Sequence, residues 1–172
     1  MDIVIKRATA EDFAAIVSIG SIAVEEAHRA SCPAEDMKDY MTRNYNNEAI
    51  QAELSNPDNI YHILYYKTQP IGFSKIVLNV EHPNIHLEHT TKLDRIYILK
   101  EFFGLKLGYE LLRYNIDFTK QHHQNGMWLF TWIGNERAID FYIRAGFEIA
   151  GTHNFQVSKT HSNPNHHMML KY

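Results

Sequence analysis

Apolar and polar positions alternate from Ile3 to Arg7, which predicts a short first strand. Thr9 then stands as a helix cap, with Asp12 as its box partner three residues on. Phe13, Ile16, Val17, Ile19 and Ala23 recur at helical spacing. Pro33 interrupts. Ala34–Asn44 reads as a second, acidic helix, and Asn46–Ser55 adds another turn or two. Asn56-Pro-Asp-Asn is a turn. Tyr61–Lys67 and Ile71–Val80 predict a hairpin joined through Thr68-Gln-Pro70. Glu81–Thr91 is a polar, histidine-rich loop, and Leu93–Leu99 a third strong strand.

The second half is more regular. Gly104–Gln121 predicts a helix whose buried stripe is Leu107, Leu111, Leu112, Tyr114 and Phe118. Met127–Ile133 is apolar on both faces, the mark of a central strand covered on both sides. Asn135–Ala145 predicts a helix capped by Asn135 and stopped by Gly146, with Phe147 packing back on its last turn. Phe147–Val157 and His167–Lys171 would be the last strands, separated by a loop around Asn163-Pro164. The order of elements predicts a single α/β domain over residues 1–172, with a mixed sheet and helices on both faces.

Composition narrows the class. A chain of 172 residues with 45% hydrophobic and 22% charged residues has the balance of a soluble domain. The first residues read as a strand rather than a leader, and no apolar run reaches the ~20 residues of a membrane span. A single cysteine, Cys32, excludes an internal disulfide and points to the cytoplasm. A net charge of −3 argues against nucleic acid as partner. The charge is unevenly spread: residues 21–60 hold eight acids against three bases. That acidity leans toward a cationic ligand, although charged helix faces in water give the same pattern.

Two strand-to-helix junctions carry the chemistry. The strand Leu93–Leu99 runs through Lys100-Glu-Phe-Phe-Gly104-Leu-Lys-Leu-Gly108 into a helix. The first N–H groups of a helix lack intrahelical acceptors and stabilise an anion such as a pyrophosphate. Lys106 and Arg113 add positive charge there. In the second junction Asn135 caps a helix and Tyr142 lies seven residues on, on the same face. Arg144 serves either a phosphate or the helix C-terminus.

From Leu93 to Tyr142 the chain resembles the acetyl-coenzyme A signature of the GNAT N-acetyltransferase superfamily. Leu93-Asp-Arg-Ile-Tyr-Ile-Leu-Lys-Glu-Phe, Gly104-Leu-Lys-Leu-Gly108, Met127-Trp-Leu, Asn135-Glu-Arg-Ala-Ile-Asp-Phe-Tyr and Gly146-Phe are similar to its polyamine acetyltransferase-like branch, as are Gly151-Thr-His-Asn-Phe and Met168-Met-Leu. The resemblance implies a mostly antiparallel sheet of about seven strands, splayed at a bulge near Tyr97-Ile98. It implies acetyl-CoA as cosubstrate and a small amine as acceptor, in a monomer or homodimer. Main-chain groups of Ile96, Tyr97 and Ile98 would meet the pantetheine arm. The N–H groups of Phe103, Gly104, Leu105, Lys106, Leu107, Gly108 and Tyr109 would bind the pyrophosphate. Asn135 would touch the pantetheine, with Arg137 and Arg144 in reach of the cofactor. Phe103 and Lys106 depart from the family pattern, standing where a polar residue and a glycine are usual.

The implied reaction is attack of an amine on an acetyl thioester. An alkyl ammonium with a pKa near 10.4 is only ~0.1% neutral at pH 7, so a proton must be removed. Asp94 is the candidate base, with Glu25, Glu26 and Glu88 as alternatives; Glu25 and Glu26 are also the candidate contacts for a cationic acceptor. The N–H of Ile98 is the candidate oxyanion donor. Tyr142 would protonate the departing thiolate. The acceptor stays open between a polyamine, a protein N-terminus and another small amine, and a non-catalytic acyl-CoA-binding module is the rival class. The spacing of His82, His86 and His89 completes no recognised metal signature, and no metal is expected.

Overall fold

The computed structural model describes residues 2–172. Seven strands form one sheet: β1 (Ile3–Arg7), β2 (Ile60–Tyr66), β3 (Gln69–Val77), β4 (Thr90–Ile98), β5 (Gly126–Trp132), β6 (Glu148–Gln156) and β7 (Ser162–Lys171). Their order across the sheet is β1-β2-β3-β4-β5-β7-β6. Every neighbouring pair is antiparallel except β4 and β5, which run parallel. Helices α1 (Phe13–His28), α2 (Ala34–Asn44) and α3 (Asn47–Ser55) precede β2; α4 (Leu107–Gln121) and α5 (Glu136–Arg144) flank β5.

The helices bury one stripe each, and the two stripes face opposite sides of the sheet. On one face Ile16, Ile19 and Val24 of α1 and Ile50 of α3 pack on Tyr61, Ile63 and Phe73. On the other, Leu107, Leu111 and Leu112 of α4 join Leu64, Ile71, Ile76 and Leu93. Each such aliphatic side chain contributes about 1.5–3 kcal/mol when fully buried. Tyr142 and Phe147 belong to the second cluster, with their rings 5.5 Å apart. Phe147 is brought there by the left-handed Gly146 (φ 95°), as its N–H returns to the Tyr142 carbonyl at 3.0 Å.

Several expectations are corrected. The buried stripe of α4 continues through Asn115 and Thr119, not Tyr114 and Phe118, which are half-buried. A polar residue occupies the inward position because Asn115 is satisfied there: its Nδ2 donates to Ser74 Oγ (2.8 Å) and its Oδ1 accepts from His62 Nδ1 (2.8 Å). β4 begins at Thr90 rather than Leu93, since Thr90–Lys92 pair with Gly126–Trp128. β7 begins at Ser162, so Asn163-Pro164 lies within a strand; Pro164 takes part through its carbonyl, which accepts from Ile133 N–H at 3.1 Å. The hairpin turn is Lys67-Thr68, because Tyr66 already pairs with Gln69. Helix α4 starts at Leu107, and Gly104–Lys106 form a turn before it. In each case the pairing is polar or main-chain, which an apolar pattern does not report.

The bulge in β4 is at Asp94, not Tyr97-Ile98. Lys75 pairs with Arg95 and the next residue, Ile76, with Leu93, which leaves Asp94 as the extra residue.

Candidate active site

The parallel pairing of β4 and β5 stops after three residue pairs, at Lys92 and Trp128. Beyond it β5 stays bound to β7 through Trp132, while β4 bends away after the bulge and remains bound to β3. A V-shaped cleft of about 540 Å³ opens between them, lined by β4, β5, α2, α5, β6 and the end of α1. Leu99 N–H donates to Ile71 O at 2.9 Å, toward β3. By the alternation of an antiparallel ladder, Tyr97 also faces β3 with its main chain, while Ile96 and Ile98 turn their N–H and C=O groups toward the open side. One wall of the cleft is therefore an unpaired strand edge.

The turn after β4 is built from two left-handed residues. Gly104 has φ 85° and Lys106 φ 60°. In this turn Phe103 N–H donates to Lys100 O and Tyr109 N–H to Lys106 O, each at 3.0 Å. Among the described residues, the N–H groups of Gly104, Leu105, Lys106, Leu107 and Gly108 have no protein acceptor. Five donors at the start of a fifteen-residue helix make an anion-binding cradle. The two ends of the expected Phe103–Tyr109 row are thus occupied internally. Over the turn lies Arg137, from the first turn of α5, with its guanidinium 3.2 Å from the centre of the Phe103 ring. Arg113 is paired with Glu110. Arg144 points outward, 3.8 Å from Asp140, and does not line the cleft.

Asn135, Ala138 and Tyr142 present one face of α5 to the cleft. Asn135 Oδ1 accepts from Ala138 N–H (3.1 Å), the cap expected from sequence, and leaves its Nδ2 donors without a protein partner. Among the described residues the Tyr142 hydroxyl has no hydrogen-bond partner either. Burial pushes its pKa well up, so the hydroxyl keeps its proton at neutral pH.

At the far end of the cleft lies a charged network. Asp94 receives Lys92 Nζ at 2.7 Å and Lys75 Nζ at 3.1 Å. Behind it, Glu53 holds Lys75 (2.7 Å), Arg95 (2.8 Å) and the Tyr61 hydroxyl (2.6 Å). Burial opposes the charge on Asp94, but Lys75 and Lys92 overcome it and hold the pKa at about 2. So firmly ionised a carboxylate is a poor base near pH 7, which argues against the role expected of Asp94. Glu25 is exposed and pairs with Arg29 at 3.5 Å. Glu26 lines a separate hollow beside Leu99 and Lys100. Glu88 is on an exposed loop. None of these three borders the cleft.

Sequence reading missed the residues that α2, β6 and β7 bring in: Tyr40, Arg43, His153, Gln156 and Asn165. It missed His28 too, whose Nε2 is 3.1 Å from the Tyr97 hydroxyl and whose pKa is lowered to about 4 by burial. No local motif marks them. Of the two tryptophans, Trp128 is buried and Trp132 borders the cleft. The His82 ring lies tilted against that of His167, 4.2 Å between ring centres. Among the described residues no three potential metal ligands gather, and no helix is long and apolar enough to cross a membrane.

The model of the Acetyltransferase (GNAT) family matches residues 21–147. The chain belongs to the acetyltransferase (GNAT) family. This GNAT chain is 23% identical over 121 residues to an N-acetyltransferase encoded in the pepI 3′ region of Lactobacillus delbrueckii subsp. lactis, covering 70% of each chain. Its fold matches PaiA N-acetyltransferase from Thermoplasma acidophilum, solved with coenzyme A, with TM-score 0.80, 20% identity and 100% of both chains covered. It also matches the ribosomal-protein-S18-alanine N-acetyltransferase of Escherichia coli, with TM-score 0.71, 16% identity, and 98% and 93% of the chains covered. GNAT enzymes use acetyl-CoA as cosubstrate. The residues here fit that molecule: a free strand edge suits an amide-bearing arm, and a row of free N–H groups suits a pyrophosphate.

Proposed function

We propose that this GNAT enzyme transfers the acetyl group of acetyl-CoA to a primary amine that enters the cleft from the side of α2 and the β6–β7 hairpin. The observation that carries the proposal is the Tyr142 hydroxyl: buried, protonated and unbonded, in the cleft between the open edge of β4 and β5. The pyrophosphate lies on the N–H groups of Gly104–Gly108, with Arg137 above. The pantetheine runs along Ile96 and Ile98 and meets the Nδ2 group of Asn135.

The amine nitrogen attacks the thioester carbonyl carbon, and the carbonyl oxygen gains negative charge. The N–H of Ile98 faces the cleft and stabilises that charge. As the C–S bond breaks, the thiolate takes the proton of Tyr142. The acceptor gives up one proton to water before it attacks as the neutral amine, and the proton lost by the ammonium formed on attack returns through water to Tyr142. Asp94, already paired twice, fixes Lys75 and Lys92 in place. The enzyme acts in the cytoplasm, where a free Cys32 stays reduced.

Polyamines are the acceptors that the sequence resemblance favours. They would call for carboxylates along the cleft, and only Asp94 lines it. The acceptor class is therefore a primary amine. A thermal-shift titration tests the cofactor part: acetyl-CoA at 100-fold above its Kd stabilises the fold by about 2.7 kcal/mol. Release of free thiol on adding an amine tests transfer. Stabilisation without thiol release for any amine would leave an acyl-CoA-binding module.

A further inference from the structure

We infer that the acceptor is a small amine bearing its own anionic group, a carboxylate or a phosphate, beside a flat apolar body, and not a polycation. The inference rests on the transfer reading above and narrows its substrate.

Charge at the acceptor end carries it. The side chains lining the cleft include one carboxylate, Asp94, against Lys92, Arg95 and Arg43. Glu53 lies behind them and is shared between Lys75 and Arg95. Four cations against two carboxylates leave two positive charges. Arg43 is the clearest excess. Its Nε donates to Asp39 O and its Nη2 to Val157 O, each at 3.2 Å, so both contacts are neutral carbonyls. That second bond ties α2 to the end of β6 at the rim of the cleft. The acids of the 21–60 segment turn elsewhere: on α2 the lining residues are Met37, Tyr40, Arg43 and Asn44, and Glu35, Asp36 and Asp39 are not among them. Apart from Glu53, which is taken up by Lys75 and Arg95, the acidity that favoured a polycation in the sequence lies away from the cleft.

Part of the wall between these cations is aromatic, with Phe130, His153, Tyr40 and Phe155 among polar residues such as Asn44, Gln156 and Asn165. Phe130 stacks on His153 at 4.0 Å, and Tyr40 meets Phe155 edge-on at 6.2 Å. Lys92 Nζ is 5.9 Å from the Phe130 ring. Burial lowers the pKa of His153, which keeps that wall neutral. A ring or aliphatic body can lie on these faces with its anion at Arg43 or Lys92.

The same charges assist the reaction. Neighbouring cations disfavour an ammonium and lower its pKa, which raises the fraction of neutral amine. A spermidine molecule would bring two or more further positive charges into a positive site. An amine with its own anion is attracted as a whole, while its amino group is still deprotonated more easily.

Matched pairs test this. Tyrosine and tyramine differ by one carboxylate, phosphoethanolamine and ethanolamine by one phosphate; spermidine completes the set. With acetyl-CoA, kcat/KM is followed by thiol release and by mass of the acetylated product. At least one anionic member should exceed its neutral partner by about tenfold or more, the effect of one charged hydrogen bond, and spermidine should be slower than both. Whichever pair shows the difference identifies carboxylate or phosphate. Arg43→Gln should shrink that ratio to about two- or threefold without changing KM for acetyl-CoA. If spermidine or a neutral amine is the better acceptor, the inference is overturned and the transfer reading survives. If acetyl-CoA stabilises the protein but no amine releases thiol, the transfer reading falls and takes the inference with it.

Discussion

The guanidinium of Arg137 covers the ring of Phe103 at 3.2 Å and so stands above the five free N–H groups of the turn. Phe103 stands where the resemblance leads one to expect a polar residue, and Arg137 brings a second cation from α5 beside Lys106 of the loop. Arg137→Ala should weaken coenzyme A binding about tenfold by calorimetry, in line with one charged contact to phosphate. Activity with acetyl-pantetheine, which has no pyrophosphate, should be unchanged. A loss equal for both ligands would remove Arg137 from the phosphate site.

Tyr142→Phe deletes only the hydroxyl, and its ring packing on Phe147 remains. Losing a positioned general acid typically lowers turnover 10²–10⁴-fold. The expected result is that fall in kcat with Kd for coenzyme A nearly unchanged. Unaltered turnover would show that the thiolate finds its proton elsewhere.

Lys106 holds φ 60°, a conformation that disfavours a side chain by about 1–2 kcal/mol. Lys106→Gly relieves this and loosens the unfolded chain by a smaller amount. A gain of up to about 1 kcal/mol in denaturant unfolding is expected, with coenzyme A affinity down by no more than the loss of one exposed charge. Clear destabilisation would mean that Lys106 makes a contact worth more than its strain.

Asp94→Asn leaves Lys75 and Lys92 without their shared carboxylate. Lys75 keeps Glu53 at 2.7 Å, so the change removes charged hydrogen bonds rather than stranding a charge and costs about 1.5–3 kcal/mol. Urea unfolding at pH 7 measures it, and a change under 0.5 kcal/mol would show the network to be fully solvated.

The pH dependence has two windows of opposite chemistry. Burial depresses the pKa of His28 and His167 from 6.5 to about 4. Between these values the unfolded chain binds protons that the folded chain refuses, so their stabilising effect is complete above pH 6.5 and is lost as pH falls to about 4. Asp94 is depressed from 3.8 to about 2, and its contribution is lost below the histidine window. Tm should therefore fall in two stages on acidification. Replacing His167 by Phe should flatten the upper stage and leave the lower one in place.

Much of this protein was legible in the chain itself. Periodicity located the five helices and seven strands, because each had to bury an apolar stripe or face. The cap at Asn135, the stop at Gly146 and the turn at Gly104 follow from local backbone chemistry that needs no partner from afar. Seven-residue spacing alone placed Asn135 and Tyr142 on one face of α5.

Tertiary structure decided the rest, for reasons of distance and partnership. Thr90 and Asn115 are polar, and each is inside because a group elsewhere in the chain satisfies it: Val80 O for Thr90, His62 and Ser74 for Asn115. The cleft depends on how long β4 and β5 stay paired, and on a bulge at Asp94 that becomes visible only against the register of β3. Whether Asp94 acts as a base or as an anchor depends on Lys75, which β3 supplies. The acidic 21–60 segment suggested a cationic ligand, yet only the fold could show that Arg43 lines the cleft while the acids of α2 do not and Glu53 is neutralised by Lys75 and Arg95. Charge in sequence sums over all directions, whereas a ligand meets only the side chains that face it.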